Sequence, residues 1–75
     1  MERYLDISGE SGISGYETGA NFIRVRFHDG GTYLYSYVRP GRRHVEHMKT
    51  LAAKGVGLNT YINEHVRGNY ECRKE

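Results

Sequence analysis

Residues 22–37 read FIRVRFHDGGTYLYSY. Ile23, Val25 and Phe27 alternate with Arg24 and Arg26, the period of a half-buried strand. Tyr33, Tyr35 and Tyr37 alternate with Leu34 and Ser36 in a second β-favouring run. Asp29-Gly30-Gly31 between the runs signals a hairpin. A two-residue loop at Asp29-Gly30 pairs Val25 with Leu34 and sets the tyrosines beside the arginines, as a basic aromatic platform. A three-residue loop, His28-Asp29-Gly30, pairs Val25 with Tyr33 and sets them beside Ile23, Val25 and Phe27, as core. One residue of slip exchanges the two faces. Binary patterning favours the longer loop, because it gathers Ile, Val, Phe and Tyr on one face. Gly30 would then take the left-handed position of the bulge such loops use.

Outward from the hairpin, SGESGISGYETGAN is rich in Gly and Ser around a short strand near Ile13–Glu17, followed by a turn. On the other side, Pro40 suits the first turn of a helix. Val45, Met48, Leu51 and Ala52 recur at helical spacing, which predicts a helix from about Gly41 to Ala53, ended by a left-handed Gly55. Leu58, Tyr61, Ile62, His65 and Val66 predict a second amphipathic helix near residues 57–67. Asn59 is placed to cap its start. The expected fold is α+β: a three-stranded antiparallel β-meander followed by two α-helices packed on one face of the sheet. The chain reads as one domain over residues 1–75, with a core at about 11–67 and flexible ends.

Seventy-five residues allow one small core, and with seven Tyr, two Phe and no Trp the tyrosines must supply much of the burial. Cys72 is the only cysteine, which excludes an intrachain disulfide and a thiolate metal cluster and fits a reducing compartment. No signal-peptide core and no membrane-length apolar run is present, so a soluble cytoplasmic protein is expected, with no membrane contact. The net charge of +2 excludes a polybasic tail. Its distribution is uneven: residues 1–21 carry a net −3, residues 22–43 a net +4 and residues 44–75 a net +1. The basic character thus sits in the hairpin and just after it.

The run FIRVRFHDGGTYLYSYV, then Pro40, then AAKGVGLNTYI resembles the KTSC domain family, which occurs at the C-terminus of some lysyl-tRNA synthetases and as small free-standing proteins. The matching positions are Val25, Phe27, Gly30, Tyr33, Tyr35, Val38, Pro40, Ala53, Gly55, Leu58, Asn59 and Ile62, over about residues 11–66. Their order and spacing together carry the resemblance. The chain departs from the pattern at Arg39, between Val38 and Pro40, at Ala53 in place of a common Ser, and at Ser14 in place of an apolar residue. The resemblance implies a sheet-plus-helices domain and no enzymatic reaction. Its synthetase context associates it with RNA.

Arg39, Arg42 and Arg43 flank the first helix's start, an unfavourable place for cations because free amides already make it electropositive. Together these groups suit a phosphate. Arg24 and Arg26 would extend the patch across the sheet, with Tyr37 as a stacking supplement. The expectation is a non-enzymatic nucleic-acid-binding module, RNA favoured, using Arg24, Arg26, Arg39, Arg42, Arg43 and Tyr37. Arginines that are solvated or paired with Glu2, Glu10, Glu17 or Glu46 are the plain alternative. A protein-interaction or regulatory domain docking through the exposed sheet edge or the outer face around Leu34 is the second functional reading, and a hydrolase a distant third. His44 and His47, at i, i+3, lack a carboxylate or cysteine at matching spacing, so no metal and no cofactor is expected. A monomer is favoured, with an open edge strand as the route to a dimer.

Overall fold

The computed structural model describes residues 2–7 and 12–74. The protein is α+β, with an antiparallel five-stranded sheet in the order β1-β2-β3-β4-β5. The strands are β1 (Glu2–Arg3), β2 (Ile13–Gly19), β3 (Phe22–Phe27), β4 (Thr32–Ser36) and β5 (Cys72–Lys74). Helix α1 (Arg42–Lys54) follows the hairpin, and α2 (Leu58–Tyr61) runs into a π-helical turn at Ile62–Val66. The expected meander is therefore the middle of a wider sheet, to which the terminal segments add a strand at each edge. No helix among the described residues is long and apolar enough to cross a membrane.

The hairpin adopts the three-residue loop. Val25 lies opposite Tyr33 and Ile23 opposite Tyr35. The Phe27 amide donates to the Gly31 carbonyl at 2.9 Å, and Gly30 has a φ of 97°. A side chain would resist that angle, which is why glycine stands there. The tyrosines consequently belong to the core face. Tyr35 is buried, and Phe27, Tyr33 and Tyr37 pack against the core from its rim.

Strand β2 joins that face through a bulge. Ile13 opposes Phe27 and Gly15 opposes Arg26, leaving Ser14 as the extra residue. The bulge reverses the alternation, so that Ile13 and Tyr16, at odd and even positions, both reach the core face. The same face receives Val45, Met48 and Ala52 from α1 and Leu58, Ile62 and Val66 from the second helical segment. Full burial of each aliphatic side chain contributes about 1.5–3 kcal/mol before conformational entropy is subtracted. Lys49 anchors α1 to the β2–β3 turn, its Nζ donating to the Gly19 carbonyl at 2.7 Å.

The ends of the chain are more involved than the sequence indicates. Tyr4 is only 3% exposed and belongs to the core, outside the expected 11–67. Ile7 donates its amide to the Gly55 carbonyl at 2.7 Å. Gly55 itself ends α1 in the left-handed conformation, as the sequence predicts. Near the C-terminus, Tyr70 packs edge-on to Tyr33 at 4.9 Å, and β5 pairs with β4. Two local expectations need correction. Asn59 makes no capping bond; the residue before α2 is Gly57, and the Leu58 amide is satisfied by the Tyr4 phenol. Pro40 precedes α1 instead of opening it, since Gly41 occupies the cap position.

Candidate nucleic-acid interface

Both helical segments cover the face of Ile23, Val25 and Tyr35, so the alternate residues of β3 lie on the opposite, outer face. That divides the candidate arginines. Arg24 and Arg26 stand on the outer face of the sheet, whereas Arg42 and Arg43 open the helix packed beneath the inner face, with Arg39 in the preceding turn. Two basic regions result instead of one continuous patch.

Their pairing differs residue by residue. Arg24 lies opposite Glu17 and forms an ion pair with it while its guanidinium sits over the Phe22 ring. Arg39 donates to a neutral partner, Asn69 Oδ1, at 2.9 Å. Arg42 lies 5.9 Å from the centre of the Tyr37 ring. The exposed guanidinium groups of Arg26 and Arg43 have no hydrogen-bond or ion-pair partner among the described residues. The start of α1 has the character read from the sequence. Gly41 offers no side-chain cap, and no acidic residue stands in the first turn.

Tyr37 is tied down. Its phenol donates to Glu46 Oε2 at 2.7 Å, and Lys49 holds the same carboxylate at 2.9 Å. The bond to the carboxylate pushes the Tyr37 phenol up, and the donation from Tyr37, then that from Lys49, holds Glu46 below the usual carboxylate value. This carboxylate joins α1 to the residue after β4, and the Arg42 guanidinium lies over the same tyrosine ring.

Two groupings escaped the sequence reading. The first is a cleft of about 410 Å³ at the hairpin end of the sheet, lined by Arg3 of β1 and Arg26 of β3, which both lie opposite Gly15. Glu2, Ser14 and His28 complete its wall. Nothing in the sequence signals that Arg3 and Arg26 flank the same glycine, because that register depends on a strand of two residues. The second is a ring cluster between the helices. Tyr61 stacks with His47 at 4.6 Å and packs against the tilted His65 ring at 4.6 Å, and its hydroxyl lies 2.6 Å from His44 Nδ1. The sequence shows His44 and His47 on one helix and Tyr61 and His65 on another, but not that the four meet. Among the described residues no group of three or more His, Cys, Asp or Glu is placed to hold a metal ion.

No model of a protein family matches this chain, and no curated protein and no solved structure shows significant similarity to it.

Proposed function

We propose that the chain is a non-enzymatic module that binds the nucleic-acid backbone, RNA in preference to DNA, through Arg24, Arg26, Arg39, Arg42 and Arg43. The observation that carries the reading is the opening of α1. Exposed Arg42 and Arg43 stand beside unsatisfied amides, with no acidic residue in the turn to neutralise them. An arriving phosphate would convert that repulsion into attraction and take hydrogen bonds from both groups. Arg26 supports the reading from the other face, since its guanidinium has no ion-pair partner among the described residues. Arg24 contributes least, being held by Glu17. Tyr37 acts by positioning Arg42 more than by stacking a base, because its phenol is engaged by Glu46. The likeness to the KTSC family, drawn from residue order and spacing, belongs to the same proposal, as does a monomeric state.

Binding to transfer RNA, single-stranded RNA and duplex DNA, titrated with salt, tests it. Affinity for RNA should fall steeply with salt. The Arg42→Ala, Arg43→Ala double variant should weaken it and flatten the log–log slope by roughly 0.7–0.9 per lost phosphate contact, with unchanged melting. Absence of binding to all three at low salt ends the proposal. A partner retained at moderate salt and lost on Leu34→Ala would favour protein docking through the outer face instead.

A further inference from the structure

We infer that the hollow between the hairpin and the segment before β5 is an aromatic cage for a methylated ammonium cation, with Phe27, Tyr33, Tyr35 and Tyr70 as its walls and Asp29 as its counter-charge. The inference is independent of the nucleic-acid reading, and the hollow lies on the other side of the sheet from Arg26. The hairpin register sets Phe27, Tyr33 and Tyr35 on the face that the helical segments cover. At the hairpin end of that face a hollow of about 200 Å³ opens among these rings and Tyr70. The rings stand in two orientations. Tyr33 and Tyr35 are nearly parallel, with 18° between their planes. Phe27 crosses Tyr33 at 87°, and Tyr70 crosses Tyr33 at 87° and Tyr35 at 81°. Walls set at right angles surround a guest from two directions, whereas a parallel stack would close the space between its members.

Charge and size select the guest. The face of an aromatic ring is the negative part of its quadrupole and attracts a cation within about 6 Å. Tyr33 already shows this, with the Arg73 guanidinium 5.2 Å from its centre. Arg73 lines a neighbouring cavity at the hairpin loop and not this hollow, whereas Asp29 lines both. The Asp29 Oδ1 accepts the Gly31 amide at 2.9 Å, which fixes the carboxylate at the rim. That carboxylate has no ion-pair partner among the described residues. The hollow is smaller than the roughly 300–1,000 Å³ of sites that enclose a whole ligand, so it takes a head group. A methylated ammonium fits on each count. Its methyl groups bury against the rings, its charge meets ring faces and a carboxylate, and when fully methylated it has no N–H to leave unsatisfied. A phosphate fits none of them, because ring faces and Asp29 both repel it. Choline-like small molecules and methylated lysine side chains both carry this group.

An NMR titration of the isotope-labelled full chain, followed at the ring resonances of Tyr33, Tyr35 and Tyr70, tests the assignment. The probes are tetramethylammonium, choline, ethanolamine, and the neutral isostere of choline in which a tert-butyl group replaces the trimethylammonium. Tetramethylammonium and choline should move the cage resonances, with ethanolamine weaker and the neutral isostere weakest. Tyr70→Leu should weaken choline roughly 2- to 30-fold, the range of one cation–π contact, while Tyr70→Phe keeps the ring and should change it little. Asp29→Asn retains the oxygen that holds the Gly31 amide and removes only the charge. It should weaken choline about 2- to 5-fold, as for a partly exposed ion pair, and leave the neutral isostere unaffected. Arg73→Gln takes a competing cation off Tyr33 and should tighten choline. Folding of each variant is verified from its spectrum. A trimethyl-lysine peptide and its unmethylated form separate the two sources: tighter binding of the modified peptide than of choline identifies a protein tail, and the reverse identifies a free small molecule. Cage resonances unmoved by millimolar choline overturn the inference. So does equal binding of choline and its neutral isostere, or choline binding that neither Tyr70→Leu nor Asp29→Asn weakens.

Discussion

The amide of Leu58 donates a 3.4 Å hydrogen bond to the phenol oxygen of Tyr4, 54 residues earlier in the chain. It closes the N-terminus of α2 with a side chain from outside the helix and simultaneously satisfies a polar group in a buried position. The segment before β2 is thereby part of the architecture. Tyr4→Phe leaves the ring in place but strands a buried amide, and should cost about 1–3 kcal/mol. Tyr4→Ala should cost about 3–5 kcal/mol by opening a cavity as well. Urea unfolding measures both. Equal stability of Tyr4→Phe and the wild type would mean that water, not Tyr4, serves the Leu58 amide.

Gly30 sets the hairpin register. Its φ of 97° is a region that side chains resist, yet a Cβ built there meets nothing within 4 Å. The cost of Gly30→Ala is therefore conformational and should be about 1–2 kcal/mol, without any steric contribution. A denaturation midpoint that does not move would show that residue 30 is not held at positive φ.

How far the sequence exposes this fold depends on the range of each interaction. The β3–β4 hairpin and α1 are legible because their signals are local: strict alternation about a glycine turn, and an apolar stripe ended by Gly55. The expected Gly41–Ala53 and the observed Arg42–Lys54 differ by one residue at each end. The second helix is half legible. Leu58, Ile62 and Val66 are buried as its spacing predicts, but nothing in the spacing marks the change to π-helical turns. Strands β1 and β5 are illegible, since Glu-Arg and Cys-Arg-Lys carry no pattern and exist as strands only through distant partners. The candidate site divides in the same way. The uncapped, acid-free start of α1 can be read from neighbouring residues. That the sheet stands between Arg26 and Arg43, and that Arg3 and Arg26 flank the same Gly15, depends on tertiary placement.

Beside the aliphatic core that the two helical segments share, Tyr61 joins them through ring contacts. His44 Nδ1 shares a hydrogen bond with its hydroxyl, His47 stacks on the ring and His65 packs against it at a tilt. Tyr61→Phe removes the first interaction alone and should cost about 0.5–1.5 kcal/mol. Tyr61→Ala should cost more, because each ring pair contributes about 0.5–1.5 kcal/mol in addition. A double-mutant cycle between His44→Ala and Tyr61→Phe isolates the hydrogen bond. A coupling energy of zero would mean that the contact is incidental.

Glu46 offers a direct probe of the region beside Arg42. Its pKa is lowered first by the bond from Tyr37 and next by that from Lys49. Tyr37→Phe removes the larger cause, so the Glu46 carboxyl should titrate closer to the usual value of 4.5. Carboxyl-detected NMR titration of the two proteins measures the change. The sign for stability follows from the lowered value: the contribution is present above the unfolded pKa and is lost as pH falls through the folded one. Because this carboxylate is exposed, solvent screening keeps that contribution small. An identical Glu46 titration in both proteins would mean that the Tyr37 bond does not persist in solution.

Alkaline pH should act on the core through its tyrosines. Tyr35 is 2% exposed and Tyr4 3%, and burial raises both phenols above the usual 10.0. Neighbouring Tyr33 and Tyr70 raise Tyr35 further. In the unfolded chain these groups ionise from 10.0 upward, whereas in the folded chain burial delays their ionisation, most strongly that of Tyr35. Above that pH the folded state binds more protons than the unfolded one, so stability is complete below it and declines as pH rises towards the folded values. Each phenol held protonated contributes a slope of about 1.4 kcal/mol per pH unit in that window. Thermal unfolding followed from about pH 9 to about pH 11.5 should therefore show a flat region and then a steep fall. Tyr35→Phe should make the fall shallower, because the unfolded variant has one phenol fewer to ionise. A slope unchanged by Tyr35→Phe would place that hydroxyl in contact with water and remove it from the core.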